Sequence, residues 1–308
     1  MITYKGVFTA LITPFDENDQ LDEEGLKILI ERQINGGVDG IVFLGTTGES
    51  PTLDHEEQNR IIDIGKELCK NRTAFLIGTG TYSTQMTIAN TIYAEEHGAD
   101  AALIVTPYYN KPTQEGLYRH FKAITEASSL PIIIYNAPGR TGQNMQTDTL
   151  KRLMEIPSII GVKETSGNIS QICDVIAATK QNRPDFRVLS GDDDITLPLM
   201  ALGGDGIISV ISNLVPSEMA NFVQMILSGD YISAQKAHHR LLPLMRAAFY
   251  ETNPIPIKAA MALCGLPSGN CRLPLCSMSK ENLLKLEMVV KNSTEINHET
   301  QICSVNTH

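Results

Sequence analysis

Eight short runs rich in Val, Ile and Phe recur along the first two-thirds of the chain, each separated from the next by a longer stretch of helical period. They are VFTALIT (7–13), GIVFLG (40–45), TAFLIG (73–78), AALIVTP (101–107), PIIIYN (131–136), IIGVKE (159–164), FRVLSG (186–191) and GIISVI (206–211). The runs are continuously apolar rather than alternating, which is what parallel strands buried on both faces require. Between them, segments such as DEEGLKILIERQINGG, DHEEQNRIIDIGKELCKN and STQMTIANTIYAEEHG open on Asp or Ser at an N-cap position and close on Gly or Asn. This repeated βα pattern predicts an α/β fold, a (β/α)8 TIM barrel spanning residues 1–228. Periodicity alone leaves an open, doubly wound sheet as the alternative.

After residue 215 the strand signals stop. PSEMANFVQMILSGDY, ISAQKAHHRLLPLMRAAFY and ENLLKLEMVVKN read as packed helices, so a C-terminal helical domain is expected over residues 229–295. Residues 296–308 carry no periodicity and are expected to form a disordered tail.

Charge narrows the partners. The 35 acidic and 25 basic side chains give a formal net charge of −10 with no basic block, which argues against nucleic acid and anionic membranes. No segment reaches the roughly 18 uninterrupted apolar residues of a membrane helix, and the N-terminus lacks the pattern of a signal peptide. Cys69, Cys173, Cys264, Cys271, Cys276 and Cys303 form no CxxC pair and read as thiols of a reducing compartment, so a cytoplasmic protein is expected. The seven histidines are scattered and suggest no metal-ligand set.

In a barrel of this kind the loops leaving the C-terminal ends of the strands build the site. Those loops read GTTGES, TPYYNKPTQEG, YNAPGRTG, KETSG, SGDDD and SVISN. Lys163, at the end of the sixth run, has two readings: an amine driven by burial toward its neutral, nucleophilic form, or a cation bridged to Glu164 or Asp192. GTTGES offers consecutive backbone N–H groups suited to a small anion, and lacks the lysine of a nucleotide phosphate loop. Tyr135 could move protons or simply pack; Arg140 could fork onto a carboxylate or stay solvated. The run Asp192, Asp193, Asp194 could hold a divalent cation, with helix N-capping the favoured role because consecutive carboxylates diverge.

Taken in order, GTTGES, TPYYNKPTQEGLYRHF, YNAPGRTG, GVKETSG, LSGDDD and NPIPIK resemble the dihydrodipicolinate synthases, in register from about residue 5 to about residue 290. These belong to the pyruvate-dependent aldolase superfamily, which also contains N-acetylneuraminate lyase. The resemblance implies condensation of pyruvate with L-aspartate 4-semialdehyde to 4-hydroxy-tetrahydrodipicolinate, on the route to diaminopimelate and lysine, without metal or organic cofactor. Lys163 then matches the Schiff-base lysine and Tyr135 the proton donor and acceptor. Thr46 and Tyr109 match the rest of a proton relay, Tyr109 reaching into a neighbouring subunit of a homotetramer built as a dimer of dimers. Thr47, Gly191 and Ile208 match the pyruvate pocket, and Arg140 the group that receives the second carboxylate.

One departure from the family's pattern concerns the effector site used by lysine-inhibited members. His55 and Tyr108 match, whereas Gln58, Tyr82 and Met86 stand at the other positions, so weak or absent lysine inhibition is expected. N-acetylneuraminate lyase or another keto-acid aldolase is the alternative activity, disfavoured by Arg140, Tyr109 and NPIPIK; a non-catalytic ligand-binding barrel is the more distant one.

Overall fold

The computed structural model describes residues 2–292; the tail expected over 296–308 lies outside them. Eight parallel strands close into a barrel in sequence order: β1 (Gly6–Ala10), β2 (Gly40–Phe43), β3 (Ala74–Gly78), β4 (Ala101–Val105), β5 (Ile132–Asn136), β6 (Ile159–Glu164), β7 (Arg187–Ser190) and β8 (Gly206–Ser209), with β8 pairing β1. The barrel interior is filled by side chains such as Phe8, Val42, Leu76, Leu103, Ile133 and Ile208, while a second, larger apolar layer lies between the strands and the surrounding helices. The open-sheet alternative is thereby excluded. No helix among the described residues is long and apolar enough to cross a membrane.

Several helices start where a capping side chain stands. Asp22 accepts from Gly25 N at 2.8 Å, and Asp54 forms a reciprocal capping box with Glu57. A three-residue signature brings the chain from helix to strand in three of the βα units. Gly37, Gly98 and Gly203 take positive φ, and the aspartate two residues later (Asp39, Asp100, Asp205) turns its carboxylate to a backbone N–H of the preceding strand or its edge. The bonds are Val7 N to Asp39 at 2.8 Å, Phe75 N to Asp100 at 2.8 Å and Val188 N to Asp205 at 3.1 Å. Glycine is needed at the first position because the helix C-terminus reverses through the left-handed region.

Some strands stop earlier than their apolar runs. The first run was expected to reach Thr13, yet pairing ends at Ala10 although Leu11 and Ile12 remain buried. The Asn213 carboxamide replaces the ladder there: it accepts from Ile12 N at 3.0 Å and donates to Ala10 O at 2.8 Å and Val210 O at 2.9 Å. Burial continues past the hydrogen-bonded strand, so an apolar run overstates strand length.

Beyond the barrel the structure has helices Pro216–Leu227, Tyr231–Ala247, Ile255–Leu263 and Lys280–Asn292. The third was not among the helices read from the sequence. Its prolines fall at the N-cap and first turn, where a missing N–H costs nothing.

That helix locks the C-terminal region onto the barrel rim. Lys258, 2% exposed, donates to Glu49 Oε1 at 2.8 Å, Asn270 O at 2.8 Å and Thr13 O at 3.0 Å. Glu49, equally buried and held at φ +53°, accepts in turn from Arg272 N at 2.9 Å. Burial pushes the Lys258 pKa down and the Glu49 carboxylate pushes it back up. All three ammonium protons are matched, which is the condition under which a buried charge is tolerated. Lys258→Ala, which leaves Glu49 buried without its cation, is expected to cost about 3–5 kcal/mol in urea unfolding. The pair Lys258→Met with Glu49→Gln should recover most of that loss, and an equal loss in both would show that the ion pair is not what holds the rim.

Candidate active site

The C-terminal mouth of the barrel encloses a cavity of about 460 Å³, lined among others by Thr46, Thr47, Tyr135, Arg140, Lys163 and Gly191. This is the size range of small-molecule sites.

Lys163 is placed by strand alternation. On β6, Lys163 points into the barrel and the next residue, Glu164, points outward. Register sets Lys163 beside Tyr135 of β5 on one side and Leu189 of β7 on the other. Its Nζ lies 4.2 Å from the centre of the Tyr135 ring, and Lys163 is 5% exposed. Among the described residues no carboxylate comes within 4.0 Å of this ammonium, so the salt-bridge reading fails for both named partners. Glu164 is engaged elsewhere: it accepts from Ser166 N at 2.7 Å and from Asn136 Nδ2 at 3.1 and 3.2 Å. Asp192 lines the cavity without an ion pair, its pKa raised to about 6 by burial, with Lys163 pulling it down and the neighbouring carboxylates pushing it up.

Room for the lysine stem comes from Gly191. A Cβ there would sit 2.2 Å from Thr165 Cγ2 and 2.8 Å from Lys163 Cε, so any side chain would displace the lysine. Thr46 and Thr47 follow β2 in a tight turn, where Gly48 N donates to Gly45 O at 3.1 Å and Glu49 N to Thr46 O at 3.1 Å. Thr47 is buried and its Oγ1 accepts from Asn253 Nδ2 at 2.9 Å. Arg140, on the short helix Pro138–Thr141, reaches across the mouth to Asn253 O at 3.4 Å.

Two expected residues lie elsewhere in this single chain. Ile208 is fully buried in the barrel interior, paired in register with Phe8, and Val210, two residues on, forms the cavity wall. Tyr109 is 91% exposed at φ +67° and does not line the cavity, whereas its neighbour Tyr108 does. The residues expected to form a degenerate effector site are at the surface: His55 and Met86 are exposed, Gln58 is half-buried, and the Tyr82 and Tyr108 rings meet edge to face at 5.6 Å.

The aspartate run needs correction. The 3-10 helix Asp193–Ile195 has no side-chain cap. Instead the fully buried Asp193 accepts from Ser209 Oγ at 2.6 Å, Val210 N at 3.1 Å and Ile211 N at 3.3 Å, tying the loop after β7 to the end of β8. Burial raises its pKa and these bonds lower it. No group of three or more potential metal ligands gathers among the described residues.

Asn253, Lys258 and Glu49 were missed as individuals, although they stand in NPIPIK and GTTGES. The available signal was a lysine inside an otherwise apolar helical segment, which needs a buried partner.

The Dihydrodipicolinate synthetase family profile matches residues 3–293. The 4-hydroxy-tetrahydrodipicolinate synthase of Protochlamydia amoebophila is 58% identical over 93% of this chain and 95% of its own. The crystal structure of dihydrodipicolinate synthase from Thermotoga maritima is 43% identical, with a TM-score of 0.92 over 94% of this chain and 99% of its own. That of the Cyanidioschyzon merolae enzyme with lysine bound is 36% identical, with a TM-score of 0.91 over 95% of this chain and 99% of its own. The chain belongs to the dihydrodipicolinate synthetase family.

Proposed function

We propose that the chain is a lyase of the class I aldolase type that condenses pyruvate with L-aspartate 4-semialdehyde to 4-hydroxy-tetrahydrodipicolinate. The observation that carries the reading is Lys163: a buried amine on the cavity wall, beside a tyrosine and free of any carboxylate within 4.0 Å, in a chain of this family. An ion-paired lysine would be held away from a substrate; this one faces the cavity.

Nζ of Lys163 attacks the ketone carbon of pyruvate, and loss of water gives an iminium. The iminium acidifies the adjacent methyl group, whose proton leaves to form an enamine. The enamine carbon bonds to the aldehyde carbon of the second substrate, whose oxygen takes up a proton. The amine of that substrate then attacks the imine carbon, closing the ring and expelling Lys163. Tyr135 is the group that gives and takes protons at Lys163, supported by their adjacency in register. Thr46 and Tyr109 complete the relay. The hydroxyl and N–H of Thr47 and the N–H of Thr46 receive the carboxylate of pyruvate, with Gly191 and the backbone about Ile208 shaping the pocket. Arg140 receives the carboxylate of the aldehyde.

Tyr109 supports assembly into a homotetramer of two tight dimers, since a tyrosine 91% exposed beside the cavity mouth has no role within its own chain. Inserted into a neighbour's site it would complete the relay there.

Borohydride reduction in the presence of pyruvate is expected to fix a covalent adduct on Lys163, detectable by peptide mass spectrometry and absent from Lys163→Ala. An adduct retained in that variant refutes the assignment. Tyr135→Phe should lower kcat by about 10²–10⁴-fold, the usual worth of one acid-base group. Arg140→Ala should raise KM for aspartate semialdehyde by roughly 10–100-fold, the loss of a charge-assisted hydrogen-bonded pair, with little change for pyruvate. Because Met86 offers an incoming α-ammonium no carboxylate, lysine is expected not to inhibit in the submillimolar range; half-inhibition there in a steady-state assay overturns this.

A further inference from the structure

Asn253 has no part in the reaction as set out above, yet it touches both groups proposed to bind carboxylates. It lies in the loop between helices Tyr231–Ala247 and Ile255–Leu263, on the cavity wall and 4% exposed. Its Nδ2 donates to Thr47 Oγ1 at 2.9 Å, and its Oδ1 is buried with no partner. Its backbone oxygen accepts from Arg140 Nη2 at 3.4 Å.

A threonine hydroxyl has one proton and two lone pairs. The Asn253 N–H occupies a lone pair, and no acceptor for the hydroxyl proton stands among the described residues. That proton is therefore available to a ligand in the cavity. A carboxamide turned the other way would draw the proton onto Oδ1, and the turn after β2 would lose a donor.

Resting on the carboxylate role proposed for Thr47, we infer that Asn253 is a positioning residue that fixes the Thr47 hydroxyl as a donor toward the carboxylate of the 2-oxo acid. Asn253→Asp reverses the polarity, because the new carboxylate accepts the Thr47 proton and also repels the substrate. Asn253→Ala removes the constraint without supplying a competitor. Arg140 is held by the main chain of residue 253, so neither change touches the second substrate's site directly.

The test is borohydride trapping on Lys163 over a range of pyruvate concentrations, with steady-state kinetics alongside and thermal melting to confirm folding. Half-saturating pyruvate is expected to rise about 5-fold in Asn253→Ala and on the order of 100-fold in Asn253→Asp, the scale of losing a neutral or a charge-assisted hydrogen bond. KM for the aldehyde should stay within about twofold, as for independent sites. The Asn253→Ala effect should persist in a Thr47→Ser background and vanish in Thr47→Val. The inference is overturned if the effect is undiminished in Thr47→Val, if folded Asn253→Asp binds pyruvate like the parent, or if both substrates' KM values move together. Should Asn253→Asp fail to fold, the alanine comparison across the Thr47 backgrounds decides alone. A parent protein that forms no adduct at Lys163 overturns the proposed function itself, a result distinct from all of these.

Discussion

Two buried contacts join the turn after β2 to the segment 253–258, and the functional geometry of the barrel mouth depends on them. Lys258 holds Glu49 at one end, and Asn253 holds Thr47 at the other. A closed barrel supplies strand ends at fixed positions but does not by itself order the loops beyond them. Here a turn of four residues, Thr46 to Glu49, is ordered by a segment some two hundred residues later in the chain. The C-terminal helices are thus part of the site and not an ornament upon it. Glu49 sits at positive φ, an unfavourable conformation for a residue with a side chain, and the ion pair with Lys258 offsets that cost.

The second constraint is the separation of neighbouring charges by the pleat of one strand. Lys163 and Glu164 are adjacent in sequence and would make an obvious pair on a loop. On β6 they face opposite sides, and Asn136 and Ser166 occupy Glu164 on the helix side. The ammonium is left with an aromatic face and the cavity as its surroundings. Burial of this amine away from any carboxylate of the described residues coincides with the position where the strand ladder ends and a ligand can enter.

Much of this was legible in the chain. The eight apolar runs gave the strands, because parallel strands covered on both faces carry a signal that needs no partner to be read, and Asp22, Asp54 and Ser83 marked helix starts through local chemistry. Lys163 stood out for the same reason, a charge in an apolar run. What escaped was set by contacts distant in sequence. Asn213 shortens β1 from across the β1–β8 seam, Asp193 caps the end of β8 in place of its own helix, and Asn253 reaches Thr47 over 206 positions. The helix Ile255–Leu263 escaped for a local reason, since prolines that announce a loop are equally at home in a first turn.

A protein of net charge −10 that is to bind two substrates through their carboxylates must overcome its own field, and the distribution of charge about the cavity shows how. The basic side chains on its wall are Lys163 and Arg140, with Asp192 opposing them. Surface carboxylates act through solvent and are screened within about 8–10 Å at ordinary salt, whereas groups inside the mouth act at short range and through little water. The turn at Thr46 and Thr47 adds donors that carry no net charge, so it can hold a carboxylate without placing another cation beside Lys163. A second lysine or arginine there would bind a carboxylate more strongly, but in the proposed reaction it would also disfavour the positive centre of an iminium on Lys163. Under that proposal neutral N–H and O–H donors would serve the bound acid before and after the covalent step, so the polarity of the Thr47 hydroxyl, and hence the residue that orients it, would matter more than added charge.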